Sequence, residues 1–236
     1  MNRPTTLPTN LTEIFTAGFP RSGNTWLNRL LSDLFSAPQQ DTPESVVMID
    51  FAATIREKYV VRKTHWYDWQ YMPNGYNGHP ANVVWIYRDP RDMVVSMMHY
   101  RKSTDLQATI RSIENPDMDQ YGFARYVSGW LENPPTIAVT YESLHDRPII
   151  ILNDIHTAIS GVSADVNKIA SVVERNRFGR WKASFPHSMR KGVTGDWKNH
   201  FTYDDAVLME KMWGKEMRQL GYTDSPNWIY EVKDSD

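Results

Sequence analysis

Apolar runs of strand length recur along this chain, and each is followed at once by a polar turn and then a helical pattern. The runs are Glu13 to Phe19, Tyr59 to Lys63, Asn82 to Tyr87 and Thr136 to Thr140. After the first, Trp26, Leu27, Leu30, Leu31 and Leu34 fall at helical spacing. Thr42-Pro43-Glu44 reads as a helix start, because proline is tolerated in a first turn. Pro90 opens a helix carrying Met93, Val94, Met97 and Met98. Val166, Ile169, Ala170 and Val173 mark a later one, and Ala206 to Leu220 another, closed by Gly221. The run Asn82 to Tyr87 is continuously apolar apart from its first residue, as expected of a strand covered on both faces. Strands alternating with helices predict a three-layer α/β/α fold around a central parallel sheet.

Composition narrows the class. With 236 residues, 41% hydrophobic and 23% charged, one well-packed domain over residues 1–236 is expected, with short loose ends at about 1–10 and 225–236. A formal net charge of −2 argues against a wholesale polyanion binder, so no nucleic-acid partner is expected. The absence of cysteine removes thiolate metal sites, disulfides and cysteine nucleophiles together. No run approaches the roughly 18 to 20 apolar residues of a membrane span, and the first residues lack the apolar stretch of a secretory leader. A soluble cytoplasmic protein without membrane attachment is the expectation.

In open parallel sheets, ligands bind beyond the carboxyl ends of the strands. Here each strand exit carries polar chemistry: Arg21 to Thr25, then Lys63 and His65, then Arg88, then Tyr141-Glu142. Gly18-x-x-x-x-Gly23-Asn24-Thr25 follows the phosphate-loop pattern except that Asn24 stands where the lysine of nucleoside triphosphatases belongs. The backbone N–H groups and the helix start still suit an anion, and a cation appears inside the loop at Arg21. An ordinary strand-to-helix turn is the plain alternative. His65 beside Lys63 can take a proton from a hydroxyl, although a lone histidine is more often structural. Arg88 and Ser96 can together hold a phosphate. Taken alone, Arg88-Asp89-Pro90-Arg91-Asp92 reads as surface ion pairs on a charged turn, and Arg190-Lys191 as a solvated loop face. Between Arg177 and Lys198, six basic residues face the single acidic Asp196, an imbalance that favours an anion.

The segments GFPRSGNTWLNRLL, VRKTHW, IYRDPRDMVVSMMHY, VTYESL and RKGVTGDWKNHFT occur in the order found in the cytosolic-type sulfotransferases. The chain resembles that family from about Phe15 to about Tyr222. The resemblance implies a fold like that of the P-loop nucleoside triphosphatases and a donor, 3′-phosphoadenosine 5′-phosphosulfate, with 3′,5′-adenosine bisphosphate as product and no required metal. It implies that Arg21, Ser22, Gly23, Asn24 and Thr25 form the 5′-phosphosulfate loop, and that Trp26, Tyr141 and Phe178 pack on the adenine. Arg88 and Ser96 match the 3′-phosphate ligands, and Arg190, Lys191 and Gly192 the late loop that closes over that phosphate. His65 matches the catalytic base, Lys63 the cation beside the sulfuryl group, and Arg21 a second catalytic cation.

The expected reaction is in-line transfer of a sulfuryl group to a hydroxyl, or an amine, of a small-molecule acceptor. Asn24 departs from the threonine common in the family. The family's dimer signature, K-x-x-x-T-V-x-x-x-E, keeps Lys198 and Thr202, but Tyr203 and Val207 replace its valine and glutamate. A monomer or weak dimer is therefore expected. Trp66, Tyr67, Trp69 and Tyr71 suit an acceptor pocket or a packed core equally well. Two other readings are a magnesium-dependent kinase on a similar sheet and a nucleotide or nucleic-acid binding module using the basic cleft. The missing loop lysine counts against the first. The second needs an open groove of stacked aromatics.

Overall fold

The computed structural model describes residues 12–37, 39–41, 58–65, 82–114, 122–135, 137–177, 179–180 and 191–232. Among these residues, five parallel strands form one sheet: β1 (Thr12–Ala17), β2 (Gln39–Asp41), β3 (Tyr59–Thr64), β4 (Asn82–Tyr87) and β5 (Ile137–Thr140). Their order is β2-β3-β1-β4-β5, so the sheet grows outward in both directions from β1. Three of the expected strands match the apolar runs closely. The fourth, β1, stops at Ala17, and Phe19 lies in the turn beyond it. The edge strand β2 was not foreseen, since Gln39-Gln40-Asp41 has no apolar pattern and its ladder rests on the backbone of β3. The helix start expected at Thr42-Pro43-Glu44 lies outside the described residues.

Alternation along the strands sends side chains to two separate cores. On one face, Ile14, Val61, Val84, Ile86 and Val139 pack with the leucines of α1 (Asn24–Phe35) and with α6 (Pro148–Ser160) and α7 (Val166–Arg175). On the other, Phe15, Ala17, Val83 and Trp85 pack with α2 (Pro90–Tyr100), α3 (Leu106–Ile113), α4 (Phe123–Glu132) and α8 (Tyr203–Gln219). The short helix α5 (Tyr141–Asp146) follows β5 directly. The result is the expected three layers, α/β/α, about a parallel sheet. Leu27, Leu30, Leu31 and Leu34 are fully buried, and each such side chain contributes roughly 1.5–3 kcal/mol of burial energy. Gly221, at φ +78°, follows the last helical turn as the left-handed residue that its sequence position suggested.

Register determines what meets beyond the strand ends. Ala17 pairs with Thr64, so the next residues, Gly18 and His65, leave the sheet side by side. Tyr87 pairs with Thr140, so Arg88 and Tyr141 do the same.

Candidate active site

The loop from Gly18 to Asn24 is shaped by two glycines for different reasons. A Cβ on Gly18 would lie 2.9 Å from Ile86 Cγ2 and 3.1 Å from the Ile86 carbonyl oxygen, so the loop runs tight against β4. Gly23 holds φ +93°, and a Cβ there would come 2.6 Å from Tyr141 Cδ2. Between them Arg21 adopts φ 74°, a left-handed conformation that disfavours a side-chain-bearing residue by roughly 1–2 kcal/mol. Ser22 N–H donates to the Phe19 carbonyl at 3.0 Å and closes the turn. Gly23 is the N-cap of α1 and supplies no side-chain acceptor, so the helix presents its first N–H groups and positive dipole end to the loop.

Two arginines meet over this loop. Arg21 Nε donates to Ser96 Oγ at 3.1 Å, and its guanidinium lies 4.8 Å from the Tyr100 ring centroid. Burial lowers the Arg21 pKa; the Tyr100 hydroxyl opposes that shift and the nearby positive charge of Arg88 adds to it. Arg88 leaves β4 with its guanidinium 4.4 Å from the Tyr141 ring centroid, donates from Nη2 to the Val193 carbonyl at 2.8 Å, and sits 3.7 Å from Asp92 Oδ2. Its Nε is buried and has no hydrogen-bond partner among the described residues. The pairs taken alone as surface contacts are therefore interior. Arg88, Asp89, Arg91 and Asp92 are all buried, because Pro90 starts α2 with the turn tucked beneath the late loop.

Asp92 fastens that late loop. Its two carboxylate oxygens accept from Gly195 N at 2.7 Å and Trp197 N at 2.9 Å, at only 1% exposure. Burial raises its pKa, while Arg88 and the two N–H donors pull it back down. In the sequence Asp92 reads only as part of a surface ion-pair turn, and Thr64, Val193 and Tyr100 carry no site signal of their own. An aspartate one helical turn after Arg88 was the available signal for the first. Lys191 pairs with Asp196 at 3.0 Å, and Asp196 also meets His200 Nε2 at 3.2 Å. Gly192 holds φ 66°.

His65 Nδ1 lies 2.6 Å from the Gly18 carbonyl oxygen. A carbonyl only accepts, so Nδ1 carries the proton and Nε2 is the basic nitrogen of the neutral ring. Asn24 Nδ2 donates to the Thr64 carbonyl at 2.6 Å, immediately before His65. Lys63, half-buried, lies one residue further back in β3. Trp26 donates from Nε1 to the Asn176 carbonyl at 3.1 Å, and its ring meets that of Tyr141 edge-on at 5.8 Å. Thr25 is exposed in the first turn of α1.

Direct contacts thus join Arg21 to Ser96, Gly23 and Arg88 to Tyr141, Tyr141 to Trp26, and His65 to Gly18. Lys191 turns to Asp196 instead of to these groups. Phe178, Arg190, Trp66, Tyr67, Trp69 and Tyr71 lie outside the described residues. Among the described residues there is no group of histidine and carboxylate side chains arranged to hold a metal ion, and no helix is long and apolar enough to cross a membrane.

A family profile described as "Sulfotransferase domain" matches residues 11–221. Sulfotransferase 2B1 of Homo sapiens is 24% identical over 88% of this chain and 67% of its own length. Cytosolic sulfotransferase 1 of Arabidopsis thaliana is 23% identical over 88% of this chain and 80% of its own. A mouse sulfotransferase crystallised with PAP superposes with a TM-score of 0.73 at 21% identity, covering 94% of this chain and 89% of that one. With that profile spanning the sheet, the glycine loop and the late loop alike, the chain belongs to the sulfotransferase domain family.

Proposed function

We propose that this sulfotransferase moves the sulfuryl group of 3′-phosphoadenosine 5′-phosphosulfate to a hydroxyl of a small molecule, with His65 as general base. One observation carries the site assignment: Arg88 Nε is buried without a partner among the described residues, and the half-buried Arg21 adds a second positive charge nearby. Two neighbouring cations, one buried and one half-buried, destabilise each other, and an unpartnered guanidinium N–H in the interior is costly. A phosphate oxygen relieves both. The donor has anionic groups at both ends, which fits one cation at the late loop and another in the glycine loop. The mouse neighbour's PAP, carried over to this fold, is that donor without its sulfuryl group.

In this reading Arg88 and Ser96 hold the 3′-phosphate, with Arg190, Lys191 and Gly192 closing over it. Ser22, Gly23, Asn24 and Thr25 receive the 5′ end through backbone N–H and hydroxyl groups. Trp26, Tyr141 and Phe178 flank the adenine. The bound donor supplies an activated sulfuryl group. His65 Nε2 takes the proton of the acceptor hydroxyl as the oxygen bonds to sulfur, while Arg21 and Lys63 offset the charge developing on the leaving phosphate oxygen. Positioning and preformed charge do most of the work, since no step needs a covalent bond to the protein.

The same reading treats residues 1–236 as one domain, acting in the cytoplasm on small acceptors. It acts as a monomer or weak dimer, without nucleic acid. Lys198 pairs with Glu231 at 3.0 Å and the Tyr203 ring stacks on Tyr230, so two positions of the dimer signature are engaged within the chain. Transfer of labelled sulfuryl from the donor to a panel of alcohols, phenols and amines tests the function. Transfer abolished in His65→Ala supports it; no transfer to any acceptor, or an absolute need for magnesium, contradicts it.

A further inference from the structure

Two short hydrogen bonds tie opposite ends of the glycine loop to consecutive residues at the exit of β3. Gly18, the first residue of the loop, accepts from His65 Nδ1 at 2.6 Å. Asn24, where the loop becomes α1, donates from its side-chain amide to the Thr64 carbonyl at 2.6 Å. Asn24 is 3% exposed, and a Cβ on Gly18 would stand 3.0 Å from Asn24 Cβ, so the two loop ends are themselves in contact. The orientation of the amide is fixed by chemistry. Thr64 offers an oxygen, so the nitrogen must face it, and Asn24 Oδ1 is left buried without a partner among the described residues. An unsatisfied buried oxygen is tolerated where the other half of the amide has a task.

We infer that Asn24 is a positioning residue for the base: its amide holds the Thr64–His65 peptide against the donor loop and so sets where His65 Nε2 points. The inference rests on the function proposed above. Because the peptide held by Asn24 is the one that leads into the imidazole, a shift there swings the ring, and His65 Nδ1 loses its aim at Gly18. A threonine is shorter and presents a hydroxyl instead of an amide, so the reach to Thr64 belongs to the asparagine. The loop's anion-facing N–H groups are backbone groups and do not depend on this side chain. Loss of the Asn24 amide therefore separates catalysis from donor binding.

The test uses the full chain with Asn24→Leu, which keeps volume and removes the donor without adding charge, and Asn24→Thr as a smaller change. Three measurements are made on each: kcat and KM for the donor, affinity for 3′,5′-adenosine bisphosphate, and the nitrogen-15 imidazole signals of His65. The expected result for Asn24→Leu is a kcat lowered by roughly 10- to 100-fold with bisphosphate affinity within about threefold of the parent. Its acidic kcat limb moves, and the His65 signals change from the Nδ1–H tautomer to a mixture. Asn24→Thr lies between the two. An unchanged kcat overturns the inference, as does a parallel loss of kcat and bisphosphate affinity or an unaltered His65 tautomer in Asn24→Leu. The nitrogen signals need no turnover. A parent protein that shows the Nδ1–H tautomer and binds the bisphosphate but transfers no sulfuryl group therefore refutes the proposed function, not the link from Asn24 to His65.

Discussion

Arg21 and Ser96, 75 residues apart in sequence, share a hydrogen bond of 3.1 Å between the glycine loop and the second helix. The bond joins the two ends of the proposed donor site. Arg21 was expected to serve the 5′ end and Ser96 the 3′-phosphate, and the protein stores them against one another. Ser96→Ala removes one of the proposed ligands of the 3′-phosphate. It is expected to weaken 3′,5′-adenosine bisphosphate by roughly 10-fold, the scale of one hydrogen bond to a charged group, as read by isothermal titration. Undiminished affinity would place Ser96 outside the phosphate site.

His65 is held by its Nδ1 bond to the Gly18 carbonyl, which makes Nε2 the basic nitrogen of the neutral ring. His65→Ala is expected to lower kcat by roughly 10²–10⁴ while bisphosphate affinity stays near that of the parent. His65→Gln, which can still donate to Gly18, should restore folding stability and not rate. Equal turnover in parent and alanine variant would remove the base from the mechanism.

Gly23 occupies a left-handed conformation with Tyr141 packed where a side chain would begin. Gly23→Ala is expected to lower unfolding free energy by about 1–3 kcal/mol, from backbone strain together with the clash. It should also weaken the bisphosphate, because the ring of Tyr141 must move away from Arg88. Thermal denaturation with and without the bisphosphate measures both. A variant that matches the parent in stability and binding would contradict the account of this loop.

What the sequence made legible, and what it hid, follows from range. The run Asn82 to Tyr87 reads as a strand because both faces are buried and Val83 to Ile86 are all apolar. Gln39–Asp41 is hidden because an edge strand of three polar residues takes its conformation from the neighbouring backbone. Gly18, Gly23, His65 and Arg88 were visible as local chemistry at strand exits. Their contacts were not, since Gly18 meets His65 and Arg88 meets Tyr141 only through strand register. Burial is likewise invisible locally. Asp92 looks like a surface partner of Arg88 in the sequence, and it is an interior acceptor for two backbone N–H groups 103 and 105 residues away.

Glu142 lies behind the site, accepting from Asp89 N at 3.1 Å and from the Tyr222 hydroxyl at 2.9 Å. Burial raises its pKa above the ordinary 4.5, and these two donors oppose the shift without cancelling it. In the window above 4.5 the native state thus binds more protons at Glu142 than the unfolded state does. The slope of stability with pH is then negative: the contribution is full below that value and is lost as pH rises through the raised one. Urea unfolding of the parent and Glu142→Gln across this window should show the parent's advantage shrinking as pH increases. A gap that widens with pH would reverse the assignment.

Arg88 is where the proposed donor site stands or falls, because its buried Nε has no hydrogen-bond partner among the described residues. Calorimetric titration with 3′,5′-adenosine bisphosphate and with AMP, both in EDTA, compares ligands that differ by the 3′-phosphate alone. The account predicts that the bisphosphate binds at least about tenfold more tightly than AMP to the parent, and that Arg88→Ala abolishes the difference. Equal affinity of the parent for the two ligands, or a preference for the bisphosphate that survives in Arg88→Ala, would contradict it.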